Sequence, residues 1–292
     1  MRRIGPLTLL LFTNDVNEFS DGREFAMRLT AGKHALVDDV LQPGPYRPVV
    51  RVGDTVRRIA GWWTPAVHDL LAFLHETGFG YAPAPLGIDE DGREVLSFIA
   101  GDSGRGCREL VVADDGLVAY ARFLRAYHDA VAEYRPPVHA EWAYGAVPMR
   151  DGDIICHGDF GSWNLVWNEG QPVGVLDWDL AYPGPPLDDV AYALIYSVPL
   201  RSDSDAMRWF GFTRPPDRRH RIEVFADAYG IDLDVFALVD AVIARQRLYV
   251  EQIRYLHDRG LEAPWANTSS IAQAEENAAW TEANRELFSA TT

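Results

Sequence analysis

Two short apolar runs, each ending in carboxylates, constrain this chain more than any other feature. Ile154-Ile155-Cys156 leads into His157-Gly158-Asp159-Phe160-Gly161-Ser162-Trp163-Asn164, and the apolar segment from Pro172 to Leu176 leads into Asp177-Trp178-Asp179. Apolar runs of this length read as buried strands, so each strand delivers acidic residues at its end. That is what phosphoryl transfer asks of a protein: one carboxylate to orient the attacking hydroxyl, and an Asn and a second carboxylate to hold metal on the phosphates.

The spacing H-G-D-x-x-x-x-N, then D-W-D, then Ala181-Tyr182-Pro183-Gly184-Pro185-Pro186-Leu187-Asp188-Asp189-Val190-Ala191 resembles the aminoglycoside phosphotransferase/choline kinase family, small-molecule relatives of the protein kinases. The resemblance covers roughly residues 45 to 265. It implies an α+β, protein-kinase-like fold of two lobes: a small N-terminal lobe with an antiparallel β-sheet and one helix (residues 1–100), and a larger, mainly helical C-terminal lobe (residues 101–292). It also implies Mg²⁺ as cofactor and ATP as phosphoryl donor.

Carried over residue by residue, the resemblance makes Asp159 the catalytic carboxylate, Asn164 and Asp177 the metal ligands, and Asp179 either a ligand to a second metal or a hydrogen-bond partner of the loop. Hard oxygen donors of this kind suit Mg²⁺. His157 is expected to brace the loop, and Asp189 to cap the helix at 190 and fix the metal loop. Trp163 and Trp178 read as apolar walls beside the metal ligands, and Asp188 as a solvated carboxylate.

The N-terminal part reads as hairpin, helix, hairpin. Pro48 to Val52 and Thr55 to Ile59 flank the turn Gly53-Asp54. Thr64, as N-cap, and Pro65 open a helix with Leu70, Leu71 and Leu74 on one stripe, and Gly78 stops it. Ala84 to Ile88 and Arg93 to Ile99 flank a second turn, and Ser97-Phe98-Ile99 is the candidate hinge whose backbone reads adenine. This lobe departs from the kinase pattern in three ways. There is no G-x-G-x-x-G loop, and Gly44-Pro45 stands near its place with a single glycine. Arg57 or Arg58 replaces the usual phosphate-gripping Lys, and strand alternation lets only one face the cleft; Arg57 is the favoured reading. The helix lacks a central Glu to pair with that cation, leaving His68 or Asp69 as substitutes. Arg holds phosphate bidentately, so the exchange is compatible with activity.

Downstream, helices are expected over 117–133, 190–196, about 218–230, 233–260 and 268–288. Hydrophobic residues make up 48% of the 292 and charged residues 24%, the balance of a soluble globular chain. No run of about eighteen apolar residues offers a membrane span. The start, Met1 to Phe12, only faintly resembles a signal peptide; an added edge strand, or initiation at Met27, fits better. Cys107 and Cys156 form no disulfide or metal pattern, and a cytoplasmic location follows.

Lys33 is the only lysine, and the net charge of −16 argues against a nucleic-acid partner. Residues 1–100 carry a net −3 and residues 101–292 a net −13. This acidic excess, with Glu251, Asp258, Glu275 and Glu276 as carboxylates within reach of a cleft mouth, points to a cationic hydroxyl acceptor such as an aminoglycoside. Choline, ethanolamine or homoserine-type acceptors, and a catalytically silent nucleotide-binding module, are the alternatives.

Overall fold

The computed structural model describes residues 39–42, 48–261, 263 and 266–288. Gly44-Pro45, Lys33 and the segment holding Met1 to Phe12 and Met27 lie outside them. The first strand, β1 (Asp39–Gln42), pairs with β2 (Val49–Val52), which turns at Gly53-Asp54 into β3 (Thr55–Ile59). After helix α1 (Thr64–Glu76) come β4 (Pro85–Ile88) and β5 (Arg93–Ser97). The five strands form one antiparallel sheet in the order β1-β2-β3-β5-β4. Both expected hairpins and the intervening helix are present; β1 extends the sheet beyond what the sequence reading anticipated.

Helix α1 buries Leu70, Leu71 and Leu74, the stripe read from the sequence, together with Val67, and ends where Gly78 adopts a left-handed φ of 88°. Its start differs from expectation. Thr64 is already helical, Trp63 occupies the cap, and the Thr64 hydroxyl accepts the Gly61 N–H instead of an N–H of its own helix.

The remainder is helical around two small ribbons. Helix α2 (Asp114–Val131) packs on α5 (Arg218–Tyr229), and α3 (Pro186–Ser197) on α6 (Val235–Asp258), which also packs on α7 (Thr268–Ala283). A 3-10 turn over Arg105–Val111 and a short helix α4 (Asp203–Trp209) were not expected. One ribbon pairs β6 (Ile154–Cys156) with β9 (Tyr182–Gly184); the other pairs β7 (Leu165–Asn168) with β8 (Gln171–Val175). The acidic motifs follow β6 and β8. Their rigidity comes from the core beneath: Ile155, Cys156, Phe160, Leu165, Val175 and Trp178 are all buried, and the Tyr127 hydroxyl donates to the Ile155 carbonyl at 2.5 Å. At the junction with the sheet lobe, Asp102 and Trp167 exchange backbone hydrogen bonds at 2.8 and 2.7 Å. Gly101 fits there because a Cβ would lie 2.6 Å from the Trp167 carbonyl oxygen.

Candidate active site

The loop after β6 is held by a buried carboxylate on α3. Asp189 accepts the backbone N–H groups of His157 (2.6 Å) and Gly158 (2.9 Å), and lies 3.3 Å from His128 Nε2. Burial raises the cost of its charge, but the His128 hydrogen bond, the two histidines and the Gly158 N–H hold its pKa below the usual carboxylate value. The expected helix cap is corrected here. Helix α3 starts at Pro186 and has no side-chain cap, so Asp189 spends its oxygens on the neighbouring loop. Gly158 is obligatory: its φ is +80°, and a Cβ would sit 2.1 Å from the Leu180 carbonyl oxygen.

His157 is fully buried, with Nε2 3.0 Å from the Leu176 carbonyl, which ties the two acidic motifs together. Burial pushes its pKa down to about 4, so it is a neutral brace near pH 7. Trp178 packs on its ring and Trp163 packs edge-on against Tyr196; both indoles are buried as walls. Asp188 is not merely solvated, since it accepts the Tyr182 hydroxyl at 2.9 Å.

Asp159 stands at the centre. The Asn164 amide donates to its Oδ2 and to its backbone carbonyl, both at 2.9 Å, and the Tyr192 hydroxyl donates to its Oδ1. Burial first, and the nearby Asp177 charge second, push its pKa up to about 7 against the opposing hydrogen bonds from Tyr192 and Asn164. A carboxylate tuned to that value is suited to proton transfer near neutrality.

Across from it, Arg58 organises the other carboxylates. Its Nε donates to Glu94 Oε1 at 2.5 Å, Nη1 to Asp177 Oδ1 at 3.0 Å and Nη2 to Asp179 Oδ1 at 2.8 Å. The Trp63 indole also donates to Asp179. Although burial opposes the charge, the three carboxylates keep the guanidinium protonated. This corrects the reading of Arg57, which turns to the other strand face and lies 3.6 Å from Asp89. The β3–β5 register sets Arg58 directly opposite Glu94, a cross-strand pair. The acid missing from α1 is therefore supplied by β5, and α1 contributes His68, 3.3 Å from the second Glu94 oxygen; Asp69 instead accepts from Tyr134.

The residues present fit a hard cation. Asn164 turns its amide nitrogen to Asp159, which directs its carbonyl oxygen elsewhere. Asp177 adopts a left-handed backbone (φ 63°, ψ 62°) that a non-glycine residue takes at a cost. Asn164, Asp177 and Asp179 thus supply carbonyl and carboxylate oxygens, the donor set Mg²⁺ accepts alongside phosphate and water.

The hinge is only partly available. The Ser97 N–H donates to the Ala84 carbonyl and the Phe98 N–H to the Asp54 carbonyl, so both donors are spent within the lobe. Ile99 packs against Gly174 of β8.

Besides Glu94, two further residues escaped the sequence reading. Arg245 of α6 is 1% exposed and donates from Nη2 to the Gly158 carbonyl at 3.0 Å and from Nη1 to Gln252 at 3.1 Å, among the rings of Tyr182, Tyr192 and Tyr249. Tyr192 touches Asp159 itself.

A model of the phosphotransferase enzyme family matches residues 142–224, which hold His157 to Asn164, Asp177 to Asp179, and Asp188-Asp189. The trifolitoxin immunity protein of Rhizobium leguminosarum bv. trifolii is 33% identical over 195 residues, covering 65% of this chain and 73% of that protein. The chain belongs to the phosphotransferase enzyme family. Its fold matches an amicoumacin kinase solved with AMP-PNP, Ca²⁺ and Ami (TM-score 0.57, 11% identity, 85% of this chain and 88% of that one). It also matches a microcompartment-associated aminopropanol kinase (TM-score 0.52, 15% identity, 86% and 91%). The chain is thus a small-molecule phosphotransferase with a kinase-like two-lobed fold. Among the described residues no helix is long and apolar enough to cross a membrane.

Proposed function

We propose that this protein transfers the γ-phosphoryl group of ATP to a hydroxyl of a small, amine-bearing molecule in the cytoplasm. The observation that carries the reading is the convergence of two hydrogen-bonded groups, Asp159 with Asn164 and Arg58 with Asp177 and Asp179, close enough that the Asp177 charge raises the pKa of Asp159. In it, Asp159 receives the acceptor hydroxyl and takes its proton as the phosphoryl group arrives. Asn164 and Asp177 would hold Mg²⁺, and Asp179 would supply a further carboxylate oxygen. The metal would neutralise charge on the β- and γ-phosphates. Arg58 grips the α- and β-phosphates from the floor of the sheet lobe, anchored by Glu94. His157 and Asp189 keep the loop rigid, so most of the rate comes from positioning and electrostatics.

An amine on the acceptor is supported by the net −13 of residues 101–292 and by the aminopropanol kinase among the structures of this fold. Glu251, Asp258, Glu275 and Glu276 are surface residues, and Glu275 pairs with Arg254, so their contribution is long-range attraction. The test is a panel of hydroxyl compounds, amine-bearing and neutral, assayed for ADP release with Mg-ATP. Transfer to at least one amine-bearing hydroxyl, at a higher kcat/KM than to neutral analogues, is expected. ADP release independent of every acceptor would remove the transferase reading, and a consistent advantage for neutral hydroxyls would remove the amine.

A further inference from the structure

Beyond Tyr192 the wall of the site changes character. One helical turn on, the Tyr196 ring lies 5.1 Å from that of Tyr192. Trp163, next in sequence to Asn164, meets Tyr196 edge-on at 4.8 Å, and Phe210 lies against it at 6.2 Å. These rings form a continuous aromatic shelf that begins at the catalytic carboxylate. Two guanidiniums flank it: Arg201 sits over Tyr196 (5.5 Å) and Phe210 (4.8 Å), and Arg108 over Trp163 (5.1 Å) and Phe210 (5.4 Å).

In an acidic protein this is a local reversal of charge. Two other buried guanidiniums, Arg58 and Arg221, are bonded at all three nitrogens. Arg58 holds three carboxylates, and Arg221 donates from Nε and both terminal nitrogens to the Ser197, Val111 and Val112 carbonyls. Arg201 shares with Arg245 a buried Nε without a hydrogen-bond partner, but Arg245 still donates from both terminal nitrogens, whereas the Arg201 side chain makes no hydrogen bond or ion pair among the described residues. Burial depresses its pKa, and burial together with Arg105 and Arg201 pushes Arg108 down to about 10. Arg108 donates to the Trp209 carbonyl, whereas the charge of Arg201 is opposed by burial, and an anion beside Arg201 would relieve that cost. A guanidinium stacked on a ring also keeps its N–H edge for a planar oxyanion.

Resting on the kinase reading above, we propose that this shelf is the second anchor of the acceptor. The acceptor then carries an anionic group, in the simplest case a carboxylate, which Arg201 and Arg108 receive while its hydroxyl lies at Asp159. An apolar or aromatic spacer between the two lies on Tyr192 and Tyr196. Combined with an amine, this describes a zwitterionic acceptor of amino-acid or peptide type rather than a polycation.

The test uses three probes of one shape: 4-(hydroxymethyl)benzoate, its carboxamide, and 4-(hydroxymethyl)benzylamine. Affinity is measured on the full chain with Mg-ATP analogue present, by calorimetry at constant ionic strength. The carboxylate should bind about ten- to a hundredfold more tightly than the carboxamide, the range of a charge-assisted hydrogen bond, and the amine most weakly. Arg201→Gln should reduce the carboxylate preference to near unity, with Mg-ATP affinity reporting that the variant is folded. Equal affinities, absence of saturable binding by the carboxylate, or a preference untouched in Arg201→Gln would each overturn the proposal. If Arg201→Gln does not fold, the wild-type comparison among the three probes still decides. Because binding is read without turnover, a carboxylate preference with no phosphoryl transfer to any acceptor would sink the kinase reading alone.

Discussion

Replacing Arg58 with Ala should damage this protein far more than replacing Arg57. Arg58 is the shared partner of Glu94, Asp177 and Asp179, and Glu94 is 1% exposed. Removing the cation leaves a buried carboxylate facing two others. Breaking a buried pair from one side costs about 3–5 kcal/mol; His68, 3.3 Å from Glu94, offsets part of that and favours the lower end. For a chain of this size the loss corresponds to a fall in Tm of about 6–20 °C. Arg57 lies 3.6 Å from Asp89, which is already engaged by Arg93 at 2.9 Å, so Arg57→Ala should cost at most about 1 kcal/mol. Thermal unfolding of both variants gives the first ranking and the KM for ATP the second, with Arg58→Ala the larger effect in each. Arg58→Lys should fall between, since an ammonium cannot span three carboxylates as the planar fork does. Equal destabilisation by the two alanine variants, or a larger ATP defect in Arg57→Ala, would refute the reasoning.

The hydrogen bond from Tyr192 helps hold down the pKa of Asp159, so Tyr192→Phe should move the acid limb of the kcat/KM profile to higher pH; an unmoved limb would show that the contact does not reach the reacting carboxylate. Arg245→Met removes the donor to the Gly158 carbonyl and should lower kcat about tenfold or more through misplacement of the loop, leaving Mg-ATP affinity near wild type; loss of both would mark it as purely structural. The fold raises the pKa of Asp159 to about 7, so its stabilising contribution is complete below the ordinary carboxylate value and is lost as pH rises through about 7. Asp159→Asn should therefore be more stable than the parent at pH 8 and not at pH 4, a difference that denaturant titration at the two values would reveal.

Much of this architecture was legible because it rests on local signals. The Gly53-Asp54 turn, the leucine stripe of α1 and the apolar approach of β6 each have a period or a punctuation mark. The two motifs were legible because short loops fix the order and spacing of their polar residues. What escaped depends on which face of an element meets which neighbour. Alternation in β3 separates Arg57 from Arg58, but only the pairing with β5 selects the face that holds Glu94. Glu94 itself looked like a hairpin residue, because the expected acid belonged to α1. Tyr192 and Arg245 reach Asp159 and Gly158 from helices 33 and 87 residues away in sequence, a separation that no periodicity encodes. Arg245 follows the apolar run Ala241-Val242-Ile243-Ala244 of α6, but with Arg247 and Arg254 on the same helix nothing in the sequence singled it out as the cation that is 1% exposed in the fold.

The central claim, that Asp159 serves the acceptor while Asp177 serves the metal-bound nucleotide, is tested most directly by measuring Mg-ATP affinity and phosphoryl transfer side by side in Asp159→Asn and Asp177→Ala. The account predicts that Asp159→Asn binds Mg-ATP like the parent but transfers phosphate about a hundred- to ten-thousandfold more slowly, whereas Asp177→Ala loses binding and transfer together. Near-parental transfer in Asp159→Asn, or undiminished Mg-ATP affinity in Asp177→Ala, would contradict it.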